Sequence, residues 1–177
     1  MKRYKEIMRR AAEGGVTLGV IFVCIFLLEA SISPLMRLMA LGLMIYVPIF
    51  VYRKIRNTHF ASFGATPFSG LWLEGIMLFL HGGIILSIGV FIFIEWLVPD
   101  FLPAMIAQFT AYLDSNPQFM NAGIDAEQAT TAFRGLRSID VAITLLWPVL
   151  LSGSIASLVI AAIAKSKPVP PPSLPNF

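Results

Sequence analysis

Four apolar stretches, separated by short polar or charged segments, dominate the pattern of the sequence. The four stretches cover approximately residues 14–28, 35–52, 69–97 and 139–164. A helix of about 20 mainly apolar residues crosses a bilayer core of roughly 30 Å, and each stretch is close to that length or longer. The pattern therefore predicts an all-α integral membrane protein, a four-helix bundle whose long helices cross the bilayer.

The third stretch is the longest and is the expected centre of the bundle. A helix of about 29 residues is about 43 Å long, because each residue adds about 1.5 Å. Its glycines recur every seven residues, and small residues allow two membrane helices to approach closely. The predicted helix-packing seam consists of five small residues on the third and fourth stretches: Gly75, Gly82, Gly89, Gly153 and Ser157.

Two ionisable residues lie inside the third stretch, where charge is costly and by default marks a functional position. Glu74 and His81 stand seven residues apart, so they project from one face of the helix. We predict a candidate intramembrane polar site at this pair, suited to a proton or cation path. The alternative is structural, with a neutral His81 bonded to a serine and Glu74 at the level of the lipid headgroups.

A second candidate site lies at the opposite ends of the predicted spans. Its charged side chains could form an ion-paired rim or hold an anionic lipid headgroup or phosphate, because arginine matches phosphate oxygens with two parallel hydrogen bonds. Ordinary snorkelling of charged side chains at span ends is the alternative. The residues of this outer rim are Glu29, Arg37, Glu95, Arg134, Arg137 and Asp140.

The segments between and after the spans are short, with one exception. Residues 99–137 form a longer loop in which apolar residues from Phe101 to Leu113 recur at helical spacing, which predicts an amphipathic helix at the interface. Residues 125–128 (DAEQ) resemble a capping box that opens a further helix. We expect a single domain over residues 1–167 and a proline-rich, disordered tail over 168–177.

The positions of the basic residues predict an orientation. Ten of the 13 Lys and Arg fall in the first segment, after the second span or at the end of the fourth span. Four spans place these three regions on one side, and the positive-inside rule makes that side the cytoplasm. Both termini are therefore expected in the cytoplasm, and the 99–137 loop is extracytoplasmic.

A basic start before a short apolar run also fits a cleaved signal peptide. Ala11, Gly15 and Gly19 repeat at four-residue spacing, which is typical of a helix-packing face. We therefore interpret the first stretch as a retained membrane span.

The composition limits the possible chemistry. With 57% hydrophobic and 13% charged residues, the chain fits the bilayer, and its net charge of +3 is not gathered into a nucleic-acid-binding surface. One cysteine and two histidines without ligand spacing predict no metal site and no cofactor. No catalytic motif is present, so no catalytic residues are predicted. An intramembrane enzyme would need His81 with Glu74, or Asp140 with Glu95, as its acid–base pair.

Several short segments carry a family resemblance. They are the glycine-rich first span, Tyr52-Arg53-Lys54, Ser62-Phe63-Gly64 before Phe68-x-Gly70, the EWLVPD segment at 95–100, and a small-residue last span ending in lysine. On these features the chain resembles an uncharacterised family of four-span bacterial inner-membrane proteins of about this length. That resemblance implies a companion role beside membrane glycosyltransferases that use polyprenyl-phosphate sugars.

These observations predict a non-catalytic accessory or scaffold protein of the bacterial inner membrane. Its expected partners are the lipid bilayer and either another membrane protein, such as an envelope-glycan glycosyltransferase, or further copies of itself. The alternative function is a small oligomeric transporter or lipid-binding protein that uses the Glu74/His81 path and the outer arginines.

Overall fold

A computed structural model of the protein describes residues 2–31, 33–115, 131 and 135–169. Within these ranges the chain is helical, no β-strand occurs, and the all-α prediction is confirmed. The helices are α1 (Lys2–Glu29), α2 (Pro34–Ala61), α3 (Phe68–Ile92), α4 (Phe101–Ser115) and α5 (Ser138–Ser166), and a π-helical turn (Phe93–Leu97) follows α3 directly.

Four of the helices are long and apolar enough to cross a membrane, as the hydrophobic pattern predicts. These candidate spans are Glu6–Glu29, Pro34–Ala61, Phe68–Leu97 and Ser138–Ser166. Pro48 and Pro148 lie inside helices, within α2 and α5. The capping box predicted at 125–128 and the tail from residue 170 onward lie outside the described residues.

The first two helices extend beyond the apolar stretches that predicted them. The basic segment before residue 14 is already helical, and Arg10 forms an ion pair with Glu6 one turn away, at 2.6 Å. Helix α2 continues to Ala61, through residues 57–61 that hydropathy assigned to a connector. The reason is that polar side chains near the end of α2 form hydrogen bonds inside the protein, Arg56 to the Ala164 carbonyl and Thr58 to Glu74. These bonds stabilise a helix where the polar composition alone predicts a loop.

Helix α2 ends in a tight reversal. Phe63 and Gly64 both have positive φ angles, of 49° and 78°, and the Gly64 N–H donates to the carbonyl of His59 at 3.0 Å. A left-handed backbone costs glycine little and other residues more. The Ser-Phe-Gly sequence at this point thus fixes where α2 stops and how α3 begins.

Contacts within the chain divide the protein into two compact units, and the single domain over residues 1–167 stays a prediction. The first unit comprises Met1–Leu86 and Leu145–Phe177, and the second comprises Ser87–Thr144. Helices α3 and α5 each contribute to both units.

In the first unit, close helix contacts involve glycines of α1. A Cβ on Gly15 would collide with the Cβ of His81, and one on Gly19 would lie 2.6 Å from the Cβ of Ile85. From the first pair to the second, the contact moves four residues forward in both helices, so α1 and α3 run parallel. Glycine permits this approach because it has no side chain.

Helix α5 packs antiparallel on α3 through the predicted seam. A Cβ on Gly75 would lie 2.5 Å from the Cβ of Ser157, and the side chain of Phe79 occupies the space next to Gly153. Gly82 faces α1 instead, against Leu18. The predicted seam residues therefore serve two different interfaces, while Gly89 is half-buried in the second unit.

The second unit contains the end of α3, helix α4 and the start of α5. Its core includes Val90, Ile94 and Leu102, and the rings of Phe93 and Phe101 meet edge to face at 5.3 Å between centroids. Helix α4 covers the segment predicted to be an amphipathic helix. It buries Leu102 and leaves Met105 and Tyr112 exposed.

Candidate functional site

A buried polar pair joins α2 to α3 in the first unit. The Thr58 hydroxyl donates a hydrogen bond of 2.7 Å to Oε1 of Glu74. Glu74 is only 2% exposed and Thr58 only 6% exposed. The second carboxyl oxygen of Glu74 is buried and has no hydrogen-bond partner in the described part of the chain. Glu74, predicted from the sequence, thus pairs with a hydroxyl that the sequence did not single out.

His81 has a separate environment on the same helix. Its Nδ1 donates to the Met77 carbonyl at 2.7 Å, one turn earlier in α3, and its ring is half-buried. Among the described residues no hydrogen bond links His81 to Glu74. The structure therefore separates the two members of the predicted polar site and places Thr58, from α2, beside one of them.

A polar pocket of about 320 Å³ lies next to the Thr58–Glu74 pair. The ion pair of Arg10 with Glu6 lines it from α1, at 2.6 Å between Nη2 and Oε1. Hydroxyl groups line it from the chain reversal, where Thr66 donates to Ser62 at 2.6 Å. The full lining is Glu6, Ile7, Arg10, Thr58, Ala61, Ser62, Ala65 and Thr66. Thr58 belongs both to this pocket and to the buried pair, so it connects them.

Arg56 anchors the end of α5 to α2. It is 8% exposed, and its guanidinium donates to the carbonyls of Ala164 (2.6 Å), Lys167 (2.9 Å) and Pro168 (2.9 Å). These carbonyls lie at and after the last turn of α5, where helix carbonyls lack intrahelical donors. The guanidinium also lies over the Phe60 ring, 4.0 Å from its centroid. Its role is therefore to satisfy the end of a helix.

The second unit brings together three residues of the predicted outer rim. Asp140 accepts from the backbone N–H of Arg137 at 3.0 Å and from its guanidinium at 3.2 and 3.3 Å. This is the acidic half of a capping box at the start of α5. The bond to Asp140 raises the pKa of the Arg137 guanidinium above its ordinary value. Glu95 accepts from the Ser138 hydroxyl at 2.7 Å.

Glu95 and Arg137 also line a pocket of about 570 Å³ in the second unit. Of the other rim residues, Glu29 and Arg37 are exposed in the first unit, and Arg134 lies outside the described residues. The pocket is lined by Phe91, Ile94, Glu95, Pro99, Leu102, Pro103, Leu136, Arg137, Ser138 and Ile139.

An apolar cavity of about 490 Å³ lies among α1, α2, α3 and α5 of the first unit. Among the described residues that line it, only Glu29 and Ser152 have polar side chains. Its volume falls within the about 300–1,000 Å³ that is usual for ligand pockets. The lining consists of Phe22, Ile25, Phe26, Glu29, Met44, Val47, Pro48, Phe79, Leu86, Leu145, Val149, Ser152 and Ala156.

The family model that matches this chain covers residues 13–166, nearly its whole length, and is described as a protein of unknown function, DUF4199. The chain belongs to the DUF4199 family. This confirms the predicted resemblance to an uncharacterised family with four candidate spans. No curated protein and no solved structure matches the chain.

For this DUF4199 protein, the described residues contain no group of three or more His, Cys, Asp or Glu side chains able to hold a metal ion. Arg56 and Thr58 were not among the predicted site residues, because the hydrophobic pattern places them at a span end and in a connector. The sequence does contain one signal for Thr58. If the second helix continues past residue 52, Thr58 lies on the same helical face as Val51 and Ile55. Both of those residues are fully buried.

Proposed function

We propose that this protein is a non-catalytic accessory or scaffold protein, which acts by binding another protein within the bacterial inner membrane. The observation that supports the proposal is the first half of α2. Within residues 34–46, all of them described, Ala40 alone is buried. A span that contributes so little to its own bundle has a face left for another helix.

The composition of this half-helix favours a protein partner over lipid alone. A Cβ on Gly42 would meet no atom within 4 Å, whereas glycines of α1, α3 and α5 lie against neighbouring helices. Small residues mark positions where membrane helices approach closely. Met36, Met39 and Met44 are exposed around it, and methionine side chains adapt to varied surfaces.

Site-specific photocrosslinking in the native membrane tests the proposal. A photoreactive amino acid at Leu38 or Leu41, both exposed on α2, should give an adduct with a second membrane protein. The same amino acid at Ile155, exposed on α5, is the matched control and should give lipid adducts. Lipid adducts alone at every position would contradict the proposal, and adducts only with further copies of the chain would replace it by self-assembly.

The partner that fits the proposal is an envelope-glycan glycosyltransferase that uses polyprenyl-phosphate sugars, the class implied by the family resemblance. In this arrangement both termini face the cytoplasm, which the placement of basic residues at span ends favours. Mass spectrometry of the crosslinked adduct identifies the partner. If the adduct contains an enzyme of another class, the proposed role in glycan assembly is contradicted, whereas the proposed accessory role is still supported.

The apolar cavity favours a second candidate function, lipid binding, which the sequence offered together with transport. A chain of a membrane lipid suits a cavity whose lining is almost wholly apolar. Replacing Ala156, which lines the cavity, by Phe should reduce the lipid that copurifies in mild detergent. Ala162→Phe, at an exposed position of the same helix, is the control. Equal lipid content in both variants would contradict this function.

A further inference from the structure

Glu74 is the most deeply buried carboxyl group in the described part of the chain, at 2% exposure, and it has a single hydrogen bond. An ionised carboxylate in such a place needs a paired cation or several donors. Glu74 takes part in none of the ion pairs found among the described residues. One oxygen accepts from Thr58, and the other has no partner.

The charged groups around Glu74 are engaged elsewhere. Arg10 of α1 and Lys54 of α2 lie close enough to act on the carboxyl through their fields. The Arg10 guanidinium is paired with Glu6 at 2.6 Å, and the Lys54 ammonium lies over the Phe50 ring, 5.7 Å from its centroid. On α5, the uncharged Ser157 lies beside Gly75, and its hydroxyl oxygen is buried and has no hydrogen-bond partner in the described part of the chain. A proton is the cation that this arrangement leaves for Glu74.

We propose that Glu74 is a proton-binding site, which exchanges its proton through the Thr58 hydroxyl with the polar pocket beside Arg10 and Glu6. Thr58 is hydrogen-bonded to the carboxyl and also lines the pocket, so it joins the two. A hydroxyl accepts one proton while it donates another. In the observed bond Thr58 donates to Oε1, so release requires the hydroxyl to turn its proton toward the pocket and the carboxyl to turn its O–H toward Thr58 Oγ1. The Thr58 proton then passes to water in the pocket, Oγ1 takes the carboxyl proton, and a carboxylate and a neutral hydroxyl remain.

This inference is independent of the partner-binding and lipid-binding functions. It concerns the end of α2 and the pocket there, whereas those functions use the first half of α2 and the apolar cavity. It also replaces the predicted Glu74/His81 route by a route through Thr58, because His81 is bonded to its own helix.

Infrared spectroscopy of the full-length protein in lipid nanodiscs tests the site. At neutral pH the wild type should show the C=O band of a protonated carboxyl group, and Glu74→Gln should remove it. Glu13→Gln, at an exposed position paired with Arg9, is the control and should retain the band. A band that survives Glu74→Gln, or no such band in the wild type, overturns the proposal.

Two further measurements separate the proton from a metal ion and test the route. Addition of sodium ions at fixed pH and ionic strength should leave the band unchanged, and its loss would assign the site to a metal cation instead. In Thr58→Val the band should move to higher frequency, because the C=O group loses its donor. This shift keeps the test available if Glu74→Gln does not fold.

Exchange of the carboxyl proton for deuterium, followed at the same band, should be about tenfold slower in Thr58→Val. That ratio corresponds to about 1.4 kcal/mol, the scale of one lost hydrogen bond. Thr110→Val is the matched control, because the Thr110 hydroxyl donates only within α4, to Ile106 at 2.9 Å. An unchanged exchange rate in Thr58→Val overturns the route.

Discussion

The two halves of helix α2 differ more in the share of buried side chains than α2 as a whole differs from the other spans. Residues 34–46 bury Ala40 alone, whereas residues 47–61 bury seven side chains, from Val47 to His59. Both halves belong to one continuous helix of 28 residues. The second half is therefore part of the bundle along most of one face, whereas the first half reaches the core only at Ala40 and, partly buried, at Leu43.

The difference follows from what each half offers its neighbours. The second half supplies a donor to α3 through Thr58 and three hydrogen bonds to the end of α5 through Arg56. The first half supplies leucine, isoleucine and methionine side chains, which lipid solvates as well as protein does. Polar contacts thus decide which half of an apolar helix is held in place.

The largest effect should come from removing the anchor between α2 and α5. Arg56→Ala deletes the hydrogen bonds to the three carbonyls, and water compensates only partly at the helix end, so we expect a loss of about 3 kcal/mol in the free energy of unfolding. Amide hydrogen exchange in the last turn of α5 should also accelerate. Arg53→Ala, at an exposed position of the same helix, is the control. Equal stability of the two variants would contradict the anchoring role.

A covered glycine should give the next largest effect. In Gly153→Ala the added Cβ meets the Phe79 side chain, which includes ring atoms that cannot easily move away. Overpacking of this kind costs about 1–3 kcal/mol, although alanine is itself the better helix former. Unfolding in detergent micelles measures the loss. A stabilised variant would show that α3 and α5 are not in close contact.

Loss of the buried hydroxyl should be milder. Thr58→Val keeps the shape of the side chain but leaves Oε1 of Glu74 without its donor, so we expect a loss of about 1 kcal/mol in the free energy of unfolding. Thr110→Val again provides the control. A loss no larger than that of the control would show that the Thr58–Glu74 bond contributes nothing to the attachment of α2.

Hydropathy predicts the four spans because a membrane helix needs only length and apolar composition. It does not predict where α2 ends, since the burial of Arg56 depends on carbonyls more than 100 residues away in the chain. A local pattern contains no information about such a partner. The polar side chains after residue 52 therefore had the composition of a connector and the structure of a helix.

The candidate sites show the same limit. Glu74 is identifiable from the sequence as a charge inside a span, but its hydrogen-bond partner Thr58 lies on another helix, which no pattern within the third span indicates. Asp140 carried a local signal that was overlooked, because an acidic residue at the third position of a helix is typical of a capping box. Its bond to the Arg137 N–H is that motif.

The smallest effect on the isolated protein should come from the open glycine. Gly42→Ala adds a Cβ where no atom lies within 4 Å, so the variant should gain about 0.5–1 kcal/mol from helix propensity. Gly42→Leu should likewise fold normally and yet reduce the crosslinking yield from Leu38, because the larger side chain holds a partner helix away. If Gly42→Leu leaves that yield unchanged, the partner does not approach at Gly42. If it destabilises the isolated protein, the Gly42 face of α2 already has a neighbour within its own chain, and the contrast between the two halves of the helix disappears.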